Sequence, residues 1–324
     1  MPKVVLSAFP MIDPETYREL LASAVDEPVD IEVAELGSTE NLIAAAADAD
    51  AVVTDINTPV TAEALERLDL DLVVRSAVGV DNIDVAAAAA NGVTVTRVPD
   101  YCTDEVATHS VSLLFAALRS LKRYDDAVVA GGWSWEDGRP VHRVSASTIG
   151  FVSFGPIARR AAEQIGGFGA ELVAYDPFVE ADEMAEYGVE KIEFDELFDR
   201  ADHVGVYAPL TDATRGMVDA DALDRLGEHS VLVNVSRGPV VDADALLDAL
   251  EAGDIKGAGL DVLTEEPPED DPLVGRDDTI VTPHAAWYSE EARDDLNRSA
   301  AADVAAVFNG EVPDGRVDPD ADWL

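Results

Sequence analysis

Cysteine and lysine are almost missing from this chain of 324 residues. Cys102 is the single cysteine, so an intramolecular disulfide cannot form, which favours a reducing, cytoplasmic environment. No apolar run approaches the roughly 20 residues that a membrane-spanning helix needs. The N-terminal segment Met1–Pro10 is typical of a short strand and not of a signal sequence. These absences predict a soluble intracellular protein.

Positive charge is scarce as well. The chain has 66 acidic residues against 22 Lys and Arg, for a net charge of −44. A surface this acidic repels nucleic acid and anionic membranes, so neither is an expected partner. The acids are spread along the whole chain, which favours adaptation to a high-salt cytoplasm over an ordinary acidic protein with solvated helix faces. The few lysines are Lys3, Lys122, Lys191 and Lys256.

Short β-branched runs alternate with helical stretches from end to end, and this order predicts an α/β protein with parallel sheets in two domains. One long helix is predicted over Thr103–Ala130, and a last one over Glu290–Asn309 with Gly310 as its cap. Periodicity leaves open which domain the last helix joins. The predicted strands are Lys3–Leu6, Ile31–Val33, Ala51–Val53, Asp71–Val74, Val93–Val95, Thr148–Val152, Glu171–Tyr175, Val189–Ile192, His203–Val206, Ser230–Asn234, Gly257–Leu260 and Thr279–Thr282.

The stretch Ile149–Ala158 joins a buried strand to an Ala-rich helix, as the phosphate-binding turn of a dinucleotide fold does. Gly150 and Gly155 match the outer glycines of GxGxxG literally. The preferred register instead puts Ser153, Gly155 and Ala158 at the three fingerprint positions, which places the turn after the strand and a small residue inside the helix. By itself this signal is weak, since Gly-containing turns of this kind are common.

A carboxylate downstream supports the cofactor interpretation. Asp176 ends the strand Glu171–Tyr175, where it can accept the ribose hydroxyls of NAD and repel the 2′-phosphate of NADP. Two departures predict weaker binding: Ser153 must adopt a turn conformation that Gly adopts without strain, and Pro156 has no N–H for a phosphate. Binding then leans on the Ile157 N–H and the helix dipole.

Three chemical groups follow predicted strands of the second half. Arg237 comes directly after one strand, Glu265 and Glu266 follow the next, and His284 follows Thr279–Thr282. Ligand sites of open α/β sheets lie at such carboxyl ends. A single His at a strand end is more often structural, and His203 and His229 at strand starts are expected to face solvent. Together, however, an Arg, a carboxylate and a His are the minimal set of side chains for reducing a 2-keto acid: they bind its carboxylate and protonate its carbonyl oxygen as a hydride arrives at carbon.

Five segments then resemble the D-isomer-specific 2-hydroxyacid dehydrogenase family, in the expected order and over nearly the whole chain. The last of them, with Trp287 and Tyr288, is similar to the branch of C-terminal-binding proteins. The segments are Val73–Asp84 (VVRSAVGVDNID), Val98–His109 (VPDYCTDEVATH), Asn234–Val241 (NVSRGPVV), Leu260–Pro267 (LDVLTEEP) and Thr282–Ser289 (TPHAAWYS).

The resemblance implies a flavodoxin-like substrate domain over 1–98, a Rossmann NAD-binding domain over 99–288, and a C-terminal helix over 289–324 that returns to the first. It implies that Arg237 binds the substrate carboxylate, that Glu266 rather than Glu265 pairs with His284, and that His284 is the acid/base. It also implies that the N–H groups of Val78 and Gly79 bind the substrate. Trp287 is implied to border the substrate pocket, although packing at a domain interface would explain an aromatic residue there equally well. The family often has Gly where this chain has Ser76 and Ala77.

Further implied positions touch NAD, while no metal site is indicated. Asp261 would contact the nicotinamide amide and Ser110 the cofactor, while Ala208 and Pro209, with Thr214 beyond them, would line the adenosine side. A homodimer through the long helix and its following loop is expected. The alternatives are an NADH-sensing binding protein and a short phosphoglycerate dehydrogenase. The cofactor positions are Ser110, Ser153, Gly155, Pro156, Ile157, Asp176, Ala208, Pro209, Thr214, Val235, Ser236 and Asp261.

Overall fold

The computed structural model describes residues 1–321. They form two compact units, one made of Met1–Cys102 with the chain from Ser289 onward, the other of Thr103–Tyr288. Each unit has one parallel sheet, of five and seven strands respectively, which confirms the α/β class with two parallel sheets. Within the described chain, no helix combines the length and the apolar character needed to cross a bilayer.

The first unit has a sheet of order β2-β1-β3-β4-β5, the flavodoxin-like order, with apolar strands such as the fully buried β3 at its centre. Its last helix packs along α1 and over β4. Gly310 has φ +73 after this helix, as a cap residue does. The elements are β1 (Lys3–Ser7), α1 (Pro14–Ala24), β2 (Asp30–Ala34), α2 (Thr39–Ala45), β3 (Ala51–Thr54), α3 (Ala62–Arg67), β4 (Leu72–Arg75), α4 (Val85–Ala90), β5 (Thr94–Arg97) and, at the other end of the chain, α12 (Glu290–Phe308).

The second unit has the order β12-β11-β10-β9-β6-β7-β8, whose direction along the chain reverses between β6 and β9. This is the Rossmann arrangement, in which ligands bind beside the reversal at the carboxyl ends of the strands. The elements are α5 (Thr103–Leu118), α6 (Leu121–Val129), β6 (Thr148–Val152), α7 (Pro156–Gly166), β7 (Glu171–Tyr175), α8 (Ala181–Glu186), β8 (Glu190–Lys191), α9 (Phe194–Arg200), β9 (His203–Val206), α10 (Ala220–Leu223), β10 (Val231–Asn234), α11 (Ala243–Ala252), β11 (Gly257–Leu260) and β12 (Thr279–Val281).

The prediction of one helix over Thr103–Ala130 is wrong. The chain breaks at Ser120, which has φ +54, and α6 begins at Leu121. Lys256 donates from Nζ to the carbonyl of Leu118 at 2.8 Å. This bond satisfies a carbonyl that the helix end leaves open, so the break is stabilised by a residue 138 positions away.

His203 does not face solvent, as a strand start suggested. It is 3% exposed, and its Nδ1 accepts the N–H of Val231 on the neighbouring strand at 3.3 Å. Burial lowers the pKa of His203 to about 4, with Lys256 and His142 acting in the same direction and Asp202 opposing. His203 is therefore neutral in the folded protein well below its ordinary pKa of 6.5.

The stability of the second unit should depend on this histidine between pH 6.5 and about 4. Across that window the unfolded chain takes up a proton that folded His203 refuses, so stability is lost as the pH falls. Relative to His203→Asn, which keeps an acceptor but does not titrate, the native chain should lose about 3 kcal/mol of unfolding free energy across this window. Urea unfolding at both ends of the window measures the difference, and the carboxylates common to both proteins cancel. Parallel pH profiles would contradict the assignment.

Candidate active site

The carboxyl ends of β10, β11 and β12 lie side by side, because these three strands are neighbours in the second sheet. Arg237 follows β10, Asp261 follows β11 directly, and His284 follows β12. The carboxyl ends of three adjacent strands thus carry a guanidinium, a carboxylate and an imidazole.

His284 is hydrogen-bonded to Glu266. Its Nδ1 lies 2.6 Å from Glu266 Oε2, and the two side chains are 26% and 30% exposed. The other carboxylate oxygen of Glu266 accepts the N–H of Leu263 at 3.0 Å. Burial alone would raise the pKa of Glu266, but His284, the Leu263 N–H and Arg237 together hold that pKa below its ordinary value. Glu266 is therefore a carboxylate that orients one imidazole nitrogen and leaves Nε2 for chemistry.

The loop that carries His284 is fastened to Asp261, which is 1% exposed. One carboxylate oxygen accepts the Thr282 hydroxyl at 2.6 Å and the Ala285 N–H at 2.9 Å, and the other accepts the Ala286 N–H at 2.9 Å. The Asp261 carbonyl accepts the His284 N–H at 2.8 Å. His284 itself has φ +51, a left-handed conformation that non-glycine residues adopt only when their surroundings enforce it. The contact of Asp261 with a nicotinamide amide stays a prediction.

Two members of this network were missed in the sequence. The Thr282 hydroxyl donates to Asp261 and so accepts from His109 Nε2, which lies 2.9 Å away. His109 stands on α5, 173 residues earlier in the chain. No local pattern connects these positions.

Arg237 is held by its own loop. The buried Asn234 accepts the N–H and hydroxyl of Ser236 at 3.0 and 2.8 Å, and donates to the Arg237 carbonyl at 2.9 Å. The next residue, Gly238, lies where a Cβ would be 2.1 Å from the Leu263 backbone. Only glycine allows this approach, which brings the Arg237 loop against the segment that leads to Glu266.

The predicted cofactor loop has the expected backbone. Ser153 has φ +72, Gly155 caps α7, and Pro156 begins that helix. Ala158 is fully buried at the third fingerprint position. No acceptor for the N–H groups of Ile157 and Ala158 is found in the part of the chain that the structure describes. These donors at a helix N-terminus fit a pyrophosphate.

Asp176 ends β7 beside this loop, but most of its hydrogen-bonding capacity is used within the protein. Oδ2 accepts the Ser153 hydroxyl at 3.0 Å and the Phe154 N–H at 2.8 Å, while Oδ1 accepts the Phe178 N–H at 2.9 Å. A carboxylate has about four acceptor positions, and Asp176 is only 6% exposed. The residues fit a dinucleotide, with room on this carboxylate for about one ribose hydroxyl rather than two.

The other predicted cofactor positions differ in accessibility. Ser110 is buried, and its hydroxyl lies 2.7 Å from that of Tyr207, whose pKa burial raises to about 12. Thr214 fastens its loop by donating to the Pro209 carbonyl at 2.5 Å. Ala208 and Val235 are buried. Whether these residues contact NAD stays a prediction.

Trp287 packs edge-on against Tyr288, with ring centroids 5.4 Å apart. Its contact with substrate stays a prediction. Among residues 1–321, no group of three or more His, Cys, Asp or Glu side chains is arranged to hold a metal ion.

In the first unit, the loop after β4 presents Val78 and Gly79. Neither N–H has an acceptor within the described chain. Asn82 anchors the loop further on, accepting from Arg75 Nε at 2.8 Å and donating to the Asp55 and Thr58 carbonyls at 3.0 and 2.6 Å. Two adjacent free donors suit a carboxylate.

Comparison with known proteins identifies the family. Residues 111–286 match the model of the D-isomer specific 2-hydroxyacid dehydrogenase, NAD binding domain. The chain belongs to this family, and the matched segment is its NAD-binding domain.

Three dehydrogenases and reductases are similar to most of this chain. D-3-phosphoglycerate dehydrogenase of Mycobacterium leprae is 36% identical over 90% of this chain, which spans only 56% of that protein's length. Glyoxylate reductase of Korarchaeum cryptofilum is 38% identical over 82% of both chains. The structure of D-lactate dehydrogenase from Aquifex aeolicus, complexed with NAD and lactic acid, superposes with a TM-score of 0.86 at 26% identity, covering 95% of this chain and 96% of that one.

Ser153→Gly should tighten NADH binding by up to about tenfold, an effect of about 1.4 kcal/mol. The substitution frees Oδ2 of Asp176 from one hydrogen bond, so this carboxylate regains an acceptor position for a ribose hydroxyl. Fluorescence titration with NADH measures the dissociation constant.

Ser120→Gly is the matched control, because it makes the same change at another left-handed serine outside the loop. It should leave the NADH dissociation constant unchanged. Equal affinities of Ser153→Gly and the native chain would show that Ser153 does not limit cofactor binding.

Proposed function

We propose that this chain is an NAD-dependent oxidoreductase that interconverts a 2-keto acid and the D-2-hydroxy acid. The observation that carries the proposal is the 2.6 Å bond between His284, which follows β12, and Glu266, which follows β11; Arg237 follows β10, the next strand of the same sheet. Family membership and the named relatives support it. Residues 1–98 and 289–324 would form the substrate domain and 99–288 the NAD-binding domain.

The residues have distinct roles in the proposed reaction. Arg237 binds the substrate carboxylate through its guanidinium, with the N–H groups of Val78 and Gly79 as further donors. His284 donates a proton from Nε2 to the keto oxygen. Glu266 holds the imidazole in position through its hydrogen bond to Nδ1. NADH, when bound, supplies the hydride for the carbonyl carbon.

Within the family, we place the chain near the C-terminal-binding branch, on the resemblance of Thr282–Ser289. Trp287 would then border the substrate. The catalytic groups argue against a pure NADH sensor, since a sensor has no need of a His–Glu pair. The similarity to phosphoglycerate dehydrogenase and glyoxylate reductase keeps their substrate types among the candidates.

The direct test is NADH oxidation with a panel of 2-keto acids in molar KCl. His284→Gln should lower kcat/KM by a factor of about 10² to 10⁴, because it removes the proton donor. Arg237→Lys should act mainly through KM, because a point charge replaces a bidentate fork. NADH affinity should stay unchanged in both variants.

His142→Gln, which changes an exposed histidine in the loop before β6, is the control and should keep native rates. A native chain that binds NADH but oxidises it with no acid of the panel would favour the sensor and refute the enzyme.

We also propose that the protein works in a reducing, saline cytoplasm. The single buried Cys102 supports the first part, and the net charge of −44 the second. Salt screens the self-repulsion of such a surface. In the same panel, activity should therefore be higher in molar KCl than in dilute buffer.

Finally, we propose a homodimer formed through α6 and the loop that follows it, residues 121–138, here called the α6 arm. None of the residues of α6 is buried, while Val129, Trp133 and Trp135 are 81%, 91% and 70% exposed. Tyr124 holds the arm together by donating to the Trp135 carbonyl at 2.8 Å. Large apolar side chains displayed on an ordered arm favour a partner surface, and a second copy is the proposed one.

Light scattering after size exclusion in molar KCl should give twice the 34.4 kDa chain mass. The double change of Trp133→Asp and Trp135→Asp should halve it, because charge replaces apolar contact area. Val312→Asp alters an equally exposed apolar residue outside the arm and should leave the mass unchanged. A native species of one chain mass would refute the dimer.

A further inference from the structure

The loop after β4 presents two backbone donors with nothing to bind them in the described chain, at Val78 and Gly79. Their direction matters, because a peptide N–H binds a carboxylate only if it points at it. A peptide unit in an irregular loop can rotate as a whole. If the Gly79 N–H is to bind a substrate carboxylate, another group must therefore hold the Val78–Gly79 peptide in one orientation.

Arg97, the last residue of β5, contacts this peptide. Its Nη1 donates to the Val78 carbonyl at 3.1 Å. The Val78 carbonyl and the Gly79 N–H belong to one trans peptide unit, in which the two groups point in opposite directions. The guanidinium therefore fixes the Gly79 N–H on the side away from itself, and its positive charge beside the oxygen makes that N–H a stronger donor.

Two further contacts hold the loop on either side of this peptide. The Val98 N–H donates to the Ala77 carbonyl at 3.1 Å, and Asn82 anchors the far end. Arg97 is half-buried; burial lowers its pKa, and Asp100 opposes that effect. A guanidinium nevertheless keeps its proton in proteins, so the contact is a charged one at any working pH.

We infer that Arg97 is a positioning residue for the substrate carboxylate, acting through the Val78–Gly79 peptide and not by touching the substrate. The inference rests on the proposed function. It adds Arg97, which lies outside the five segments that resemble the family. It explains why the guanidinium of Arg97 lies on the carbonyl side of the Val78–Gly79 peptide and not on the N–H side, where the substrate carboxylate would bind.

Arg97→Met should raise KM for the 2-keto acid by about tenfold, the effect of one weakened hydrogen bond to a charged group. The inhibition constant of oxamate, an unreactive isostere of a 2-keto acid, should rise by the same factor. The kcat should change by less than about threefold, because His284 and Glu266 are untouched. Arg97→Lys should recover part of the loss, since an ammonium can still donate to the Val78 carbonyl.

Arg67→Met is the matched control: it removes an exposed arginine on α3 of the same unit and should change none of these constants. Thermal unfolding and NADH affinity are measured on every variant. Loss of stability without the rise in KM and in the oxamate constant would make Arg97 merely structural and overturn the inference. If Arg97→Met fails to fold, Arg97→Lys decides: native KM and oxamate values would overturn the inference, and raised values would support it. A native chain that neither turns over any 2-keto acid nor binds oxamate refutes the proposed function and, with it, this role.

Discussion

The buried carboxylate of Asp261 is the contact on which the candidate active site depends. Holding His284 in the left-handed region costs about 1–2 kcal/mol, and His284 adopts it only because the segments on both sides are fastened. Asp261 accepts three hydrogen bonds from residues 282, 285 and 286, each worth about 1.5–3 kcal/mol when the acceptor is charged. The clamp outweighs the strain. The imidazole is thereby turned toward Glu266, and the 2.6 Å bond between them follows from a backbone conformation.

The same clamp reaches across the unit to α5. Through Thr282, Asp261 is connected to His109 on that helix. The helix lies close to β11 because Gly259 has no Cβ; one built there would be 2.9 Å from the Leu113 Cβ. Gly259 in the strand and His109 on the helix thus both determine the distance between α5 and the strand ends. The position of His284 is accordingly set by the packing of the whole Rossmann unit and not by its loop alone.

Alternation of apolar strands and helices was enough to predict two parallel sheets, because buried parallel strands read as continuous apolar runs. It was also enough to direct attention to Arg237 and His284, which follow such runs. Choosing Glu266 over Glu265 needed the family pattern, since periodicity does not give the direction of adjacent side chains in a loop. Three features could not be predicted: the break at Ser120, the contact of His109 and the hydrogen bonds that occupy most of Asp176. Each depends on a partner that is distant along the chain, such as Lys256 for the helix end.

In three loops of this chain, a charged side chain is hydrogen-bonded to a backbone peptide. The sign of the charge decides whether the carbonyl or the N–H of that peptide is used, and so which of the two is left for another partner. Arg97 binds the Val78 carbonyl, so the N–H of the same peptide points the other way, as the proposed contact with a substrate carboxylate would need. Asp261 binds the N–H groups of Ala285 and Ala286 and so fastens the loop that carries His284. At Asp176 the two demands conflict: the carboxylate takes the Phe154 N–H and the Ser153 hydroxyl, spending acceptor positions that a ribose would use. In the predicted cofactor loop, internal hydrogen bonds and a bound ribose would therefore compete for the same carboxylate oxygens.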